Sequence, residues 1–511
     1  MKKVLSFVLV GVIGVVALPN VVSAAEVTVC ADGCDYTSLS DAVTNAEEGS
    51  TIKLNEAITL TSKVVVNKNL TIDLNGNNIT MNGDQYVFEF NKTGGEFTLT
   101  DTSATAGSIT NSTNRGILVT NGELTFDEIT LEAVDRVIQV NPVDGDKDSK
   151  ASVIMNGGTI KATGTAENVR AVKLWGNNVA NNASFTLNGG VISAPVTSKD
   201  STGVDIGNPG NGTGANLTIN GGQIKAYNGV RINGNGQSGM AVLTMNGGTI
   251  LAASSGILQN TKDGTENTEI YIYDGTVKAN KDGNQLVNGH AVAIQHSQEG
   301  ILVIGTKNTT PNITGETAIA IKEGNITIDG GMIVATGEYK DPANFRNDGT
   351  DDTGAAISIT TSDEYNGGVS IAINGGLMQS ERGNAFYEGI AVNGDVPAAS
   401  KSYVNSIAIT GGSFVSPDNM DSVAINEYTD KEVITGGTFS SDVSEYISAN
   451  LSLVQDENGN YVIGETTTST PNDETNPETS DGIIISIVAL ILGLAAASVC
   501  FKKLYTKTMS M

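Results

Sequence analysis

The chain has 511 residues, a formal charge of −27 from 29 basic and 56 acidic side chains, 60 glycines, 10 prolines, a single tryptophan and only 5% aromatic residues. So few bulky rings argue against a large globular core, so little proline argues against collagen or a pure linker, and so strong an acidity leaves no basic surface for nucleic acid. The length suits two or three ordinary domains or one elongated repeat array.

At the start, Lys2 and Lys3 precede an apolar run from Val4 to Val16, then Pro19 and the small residues Ser23, Ala24 and Ala25. That order predicts a secretory signal peptide over residues 1–25, cleaved after Ala24 or Ala25. Cys30 and Cys34 follow. Two thiols this close in an exported chain either close a small disulfide loop or remain reduced. "YTSLSDAVTNAEEG" then sets Leu39, Val43 and Ala46 at helical spacing, with Ser38 and Asp41 resembling a capping box and Gly49 as a stop. Residues 26–49 are therefore expected to form an N-terminal cap.

Strand patterns follow. "LTIDLNGNNITM" and "ELTFDEITLEA" alternate apolar and polar residues, and from residue 150 the alternation gathers around a repeated doublet, as in "MNGGTIKA" at 155–162 and "MNGGTILA" at 245–252. From the last apolar residue before the glycines to the first one after them is five positions: 155 to 160, 187 to 192, 219 to 224, 245 to 250. In an unbroken strand an odd step turns the second apolar pair to the opposite face, so both pairs share one interior only if the chain turns a corner. The triplets Asn156, Gly157, Gly158; Asn188, Gly189, Gly190; Asn220, Gly221, Gly222; and Asn246, Gly247, Gly248 suit a corner, because glycine enters left-handed backbone freely and asparagine tolerates it. The asparagines are expected to hydrogen-bond around the corner and between coils, a structural role.

A tight hairpin is the competing reading of Asn-Gly. Against it stand the recurrence of the copies and the variable, polar, Gly-rich stretch after each downstream strand. Measured on the second glycine, or its counterpart, the steps are 32, 32, 26, 27, 56, 45, 36 and 25 residues. The shortest are the bare unit, 56 reads as two units, and the others carry insertions. At roughly 28 residues per coil, residues 26–465 make about fifteen coils of a solenoid. The expected fold is all-β, a parallel β-helix over 50–441.

Three stretches invite a chemical reading. Asp144, Asp146 and Asp148 are spaced like the opening of a calcium loop, but Ser149 replaces the needed glycine and Met155 the bidentate glutamate. A solvated acidic loop is expected there, with calcium as the alternative. "GNGQSG" at 234–239 leads into a strand rather than a helix, so a nucleotide site is not expected. His290 and His296, the only histidines, match no familiar metal spacing and read as ordinary surface residues. No catalytic set, metal or cofactor is expected.

Toward the end, "SSDVSEYISANLSLVQDENGNYVIG" reads as a short helix and a hairpin turning at Asn458 and Gly459, a C-terminal cap over 442–464. Residues 465–475 are too polar to fold. "NPETS" at 476–480 precedes the uncharged stretch 482–501, long enough for a transmembrane helix, and then Lys502, Lys503 and Lys507.

The repeat ladder over 26–465 resembles the right-handed parallel β-helix of the pectate-lyase-like superfamily, particularly its surface-protein relatives in Gram-positive bacteria. The segment 476–511 resembles a sortase sorting signal of the Asn-Pro-x-Thr type: Asn476, Pro477, Glu478, Thr479 and Ser480 match the pentapeptide, with Asn476 and Ser480 departing from the common Leu-Pro-x-Thr-Gly form. The resemblance implies cleavage between Thr479 and Ser480 by a sortase transpeptidase and covalent attachment to peptidoglycan; a permanent membrane anchor is the alternative. The functional expectation is a wall-anchored, non-catalytic adhesin or glycan binder, whose ligand is an extracellular glycan or host matrix. The alternative is a polysaccharide lyase or glycoside hydrolase, which requires Asp, Lys or Arg side chains converging in one groove across adjacent coils. A passive spacer is the third reading.

Overall fold

The computed structural model describes residues 25–465 except 144, 145, 147, 177–181, 208–214, 234–239, 260–267, 281–290, 298, 341–352 and 394–395. The expected signal peptide up to Ala24, the expected linker beyond Glu465, the expected sorting pentapeptide 476–480, the apolar stretch 482–501, Asp144, His290 and "GNGQSG" lie outside the described residues. Among the described residues no helix is long and apolar enough to cross a membrane.

Nearly all of the described structure is β, and its strands pair in parallel with partners one repeat away. Three ladders result. The first begins at Glu26–Val29 and Thr51–Leu54, takes in the segment before each Asn-Gly-Gly, and runs to Val404–Ile409. The second, after each corner, runs from Ile58–Leu60 to Thr438–Phe439. Its flanking apolar residues settle the parity question: Met155 and Ile160, Leu187 and Ile192, Ile219 and Ile224, and Met245 and Ile250 are all 0% exposed and belong to one core. Like stacks on like, since Met155, Leu187, Ile219, Met245 and Ile272 are consecutive register partners.

The third ladder corrects the sequence reading. The stretch after each second strand, taken as variable loop, carries another strand, from Val64–Val66 to Val423–Ile425. Its signature is a small residue followed by aliphatic, any, aliphatic: "TGVDI" at 202–206, "NGVRI" at 228–232, "TAIAI" at 317–321. The small residue sits where the wall bends, and a Cβ on Gly203 would stand 2.3 Å from the Cγ2 of Ile224 in the second ladder. The expected double step of 56 holds a full coil whose first-ladder strand is Ile301–Ile304 and whose corner is Gly305.

At the repeated corner the second glycine is left-handed, with φ of +77° at Gly158, +82° at Gly190, +72° at Gly222 and +78° at Gly248. Coils approach so closely there that a Cβ on Gly190 would lie 2.5 Å from the carbonyl oxygen of Gly158. Beside them the asparagine side chains form a column: Asn188 donates to Asn156, Asn220 to Asn188 and Asn246 to Asn220, each at 2.9 Å.

Both ends of the stack are closed. The helix Leu39–Asn45 starts at Ser38, whose hydroxyl accepts the Asp41 N–H at 3.1 Å, and buries Leu39, Ala42 and Val43 over the first coils. Cys30 and Cys34 are joined by a disulfide. At the far end the expected helix is a single 3-10 turn, Ser444–Tyr446, followed by the hairpin Leu451–Gln455 and Tyr461–Glu465. Its second strand pairs antiparallel with Thr438–Phe439 and covers the open edge of the second ladder.

Replacing Gly190 with valine imposes both a disfavoured φ and a backbone clash. We expect a loss of about 3 kcal/mol, against about 1 kcal/mol for Asn220→Ala, read as a drop in urea midpoint. A Gly190→Val chain with an unchanged midpoint would refute this account of the corner.

Candidate functional site

The outward side chains of the third ladder are unusual. In each strand the central position of the small-aliphatic-x-aliphatic motif points away from the core, and register stacks Gln139, Lys173, Asp205 and Arg231 in four adjacent coils. These side chains are not solvated: Lys173 is 4%, Asp205 0% and Arg231 7% exposed. Neighbouring strands are about 4.8 Å apart, so cation, anion and cation meet directly.

Asp205 is the hub. Its carboxylate accepts from Arg170 Nε at 2.6 Å and Arg231 Nη2 at 2.9 Å, pairs with Lys173 Nζ at 3.2 Å, and also accepts from Asn233. Lys173 donates as well to the carbonyl of Gly207 and stands 5.5 Å from the ring centroid of Trp175, the one tryptophan of the chain. Arg231 reaches the side-chain oxygen of Asn168.

The cluster continues toward the preceding coils. Asp135 accepts the backbone N–H of Arg170 at 2.8 Å and pairs with Arg136 at 3.2 Å. Arg115 donates to the Tyr86 hydroxyl at 3.1 Å, and that hydroxyl donates to Gln139 at 2.8 Å. Arg115 also packs over the Tyr86 ring. Arg115, Arg136 and Arg170, at or just before the start of their strands, form a partly buried edge; Lys173, Asp205 and Arg231 form a buried wall behind it.

Charge is what sets this region apart. Four of the chain's six arginines are here, with Lys173, against the two carboxylates of Asp135 and Asp205. The segments that follow these strands, 177–181, 208–214 and 234–239, contain no Asp or Glu. Burial pushes the Lys173 ammonium down to about 8, with Asp205 pulling the other way. Burial works upward on Asp205, but Lys173, Arg231 and Arg170 outweigh it and hold the carboxyl at about 2. The Arg136 guanidinium is lowered by burial first and then by Arg115, with Asp135 opposing. Chemically, such an array fixes planar donors and leaves positive charge for an anionic group.

The residues singled out from the sequence lie elsewhere. The asparagine column is structural. Asp146 accepts the backbone N–H of Asp148 at 2.9 Å in a local turn, and among the described residues no group of three His, Cys, Asp or Glu is placed to hold a metal. His296, expected at the surface, is 0% exposed, because its third-ladder register pairs it with the core residue Ile321. Burial drives its imidazole down to about 4. The arginine cluster was missed because its members are separated by whole coils. The usable signal was the confinement of four arginines to residues 115–231 in an otherwise acidic chain.

Comparison with known proteins finds no matching family model, no matching curated protein and no matching solved structure.

Because the Asp205 pKa is lower folded than unfolded, the unfolded chain binds the extra proton on acidification. The resulting stabilisation, about 2 kcal/mol, is complete above pH 4 and lost as pH falls from about 4 to about 2. Asp205→Asn should lower the unfolding free energy at pH 7 by about 3 kcal/mol because it leaves buried cations unpaired, read as a lower urea midpoint, and remove that part of the acid dependence. An unaltered acid limb in the variant would show that Asp205 is not the hub.

Proposed function

We propose that this chain is an exported, cell-wall-anchored surface protein whose parallel β-helix binds an acidic extracellular glycan without cleaving it. Export is supported by the Lys2–Lys3 apolar leader ending at Ala24 and Ala25, and anchoring by Asn476, Pro477, Glu478, Thr479 and Ser480 before the uncharged stretch 482–501. The anchoring partners are then a sortase transpeptidase and peptidoglycan. The right-handed sense of the winding follows the strong handedness of parallel crossovers.

The observation that carries the binding reading is the cation excess on the third ladder. A chain of charge −27 repels polyanions over most of its surface. The edge of Arg115, Arg136 and Arg170 is the exception, and guanidinium forks engage carboxylate or sulfate in bidentate fashion. The wall behind is held by Asp205, so the edge is presented already ordered. Preorganisation of this kind lowers the entropy lost on binding.

One observation favours a second reading. Lys173, held at about 8, is close to the working range of a general base, and the neighbouring guanidiniums suit the carboxylate of a uronate whose α proton is to be removed. Against it, Lys173 Nζ is engaged by Asp205 and the Gly207 carbonyl behind the arginine edge.

The test is retention of polygalacturonate, heparin and hyaluronan by the full chain, scored together with release of unsaturated products. Binding should weaken steeply with salt, and Arg115→Gln and Arg136→Gln should each weaken it about tenfold. Unsaturated products would establish the lyase reading. Failure to retain any acidic polysaccharide would end both.

A further inference from the structure

The corner asparagine column is interrupted. After Asn246, the positions in the same backbone hydrogen-bonding register are Tyr273 and Gly305; the polar column then resumes with Asp329 and Asn374, which are joined at 2.8 Å. Two coils therefore lack the inter-coil side-chain bond that links Asn156 through Asn246 before them and Asp329 to Asn374 after them. A repeat departs from its structural pattern where the position is used for something else.

What replaces it is aromatic. Tyr271 and Tyr273 lie on the outward side of the first ladder, their rings stacked with centroids 5.9 Å apart and planes 21° apart. The Tyr271 hydroxyl donates to Glu269 at 3.0 Å. Register places Val242, Glu269 and Ile301 in one outward row and Thr244, Tyr271 and Val303 in the next. Ile301 is 37% exposed, among the few large apolar side chains so exposed, and Gly305 sets no side chain beside Tyr273. Four coils earlier the same rows hold Glu123, Ser152 and Ser184, and Thr125, Ile154 and Thr186, with no ring among them.

We infer that the outward patch of Val242, Tyr271, Tyr273, Ile301 and Val303 around Glu269 is a second ligand site, which stacks the pyranose ring of a neutral sugar. The ligand must offer C–H faces to the tyrosine rings and aliphatic groups while hydrogen-bonding to phenol hydroxyls and a carboxylate at the same level. A wholly apolar partner would bury the Glu269 carboxylate against the single neutral hydrogen bond from the Tyr271 hydroxyl, which is costly. An acidic sugar would meet Glu269 and the exposed Asp274, and none of the patch side chains is a cation. A neutral pyranoside satisfies all three conditions, its hydroxyls donating to Glu269. This site is on the first ladder, whereas the arginine edge is on the third, and it stands independently of the acidic-glycan reading.

The test is calorimetric titration of the full chain with hexamers of β-1,4-linked glucose, of N-acetylglucosamine and of β-1,4-linked mannose, at low and high sodium chloride. At least one hexamer should bind with an affinity unaffected by salt and by Arg136→Gln. Tyr271→Ala and Tyr273→Ala should each weaken it, by up to about tenfold, while Tyr271→Trp keeps it. Urea midpoints of the tyrosine variants should match that of the parent, because both side chains are outside the core. The inference is overturned if no hexamer binds, if both alanine variants bind as the parent does, or if binding disappears with salt and with Arg136→Gln. The last outcome would assign the sugar to the arginine edge and leave the acidic-glycan reading standing.

Discussion

The structure depends on the distance between successive corners. Where one coil bends from the first ladder to the second, the carbonyl of Gly158 occupies the space that a side chain on Gly190 would need, and the next coils repeat the contact. That approach permits three things together. It brings neighbouring strands to hydrogen-bonding distance, it lets the asparagines beside the glycines bond to one another, and it turns both flanking apolar pairs into one interior. A bulkier residue at the bend would separate the coils locally and weaken all three. Repeat architectures are stabilised mainly by nearest-neighbour interfaces, so a defect at one bend is felt chiefly by the two coils that share it.

Parity made the first two ladders legible. An odd offset between core residues is incompatible with a straight strand, and Met155 with Ile160 or Leu187 with Ile192 displays that offset without any structural information. The third ladder escaped because the spacing before it varies. Gly190 is followed by its small residue at Gly203, whereas Gly222 is followed by Gly229. Insertions between the second and third strands destroy a fixed period while leaving the local motif intact, so counting from the glycine doublet hides what comparison of "TGVDI" with "NGVRI" reveals.

The arginine cluster was hidden by a different cause. A net charge of −27 describes the chain as a whole, but a solenoid converts residues a coil apart in sequence into direct neighbours. Lys173, Asp205 and Arg231 share no local motif, and only register brings them together. Their alternation of sign is itself a constraint. Two cations directly stacked at strand spacing and out of water would repel strongly, so an intervening carboxylate is what allows both to be buried. Even so, Asp205 faces three cations, and the excess falls on the partly buried edge.

Surface chemistry can change from coil to coil because each ladder separates its obligations by parity. Inward positions are bound to the common core, and corner positions to the close approach of backbones, but an outward residue owes little to either. The first ladder uses this freedom for serine and threonine over several coils and for the Tyr271–Tyr273 pair at one; the third uses it for a charged stack. A polymer lying along such a stack meets the same outward position once per coil, so a side chain that differs from its register partners marks a location on an otherwise repetitive surface. Tyr273 goes further than the rest, because it occupies a corner position and forgoes the asparagine hydrogen bond there. A residue that forgoes the corner bond and sets a partly exposed ring on the outward face is explained more economically by recognition than by folding.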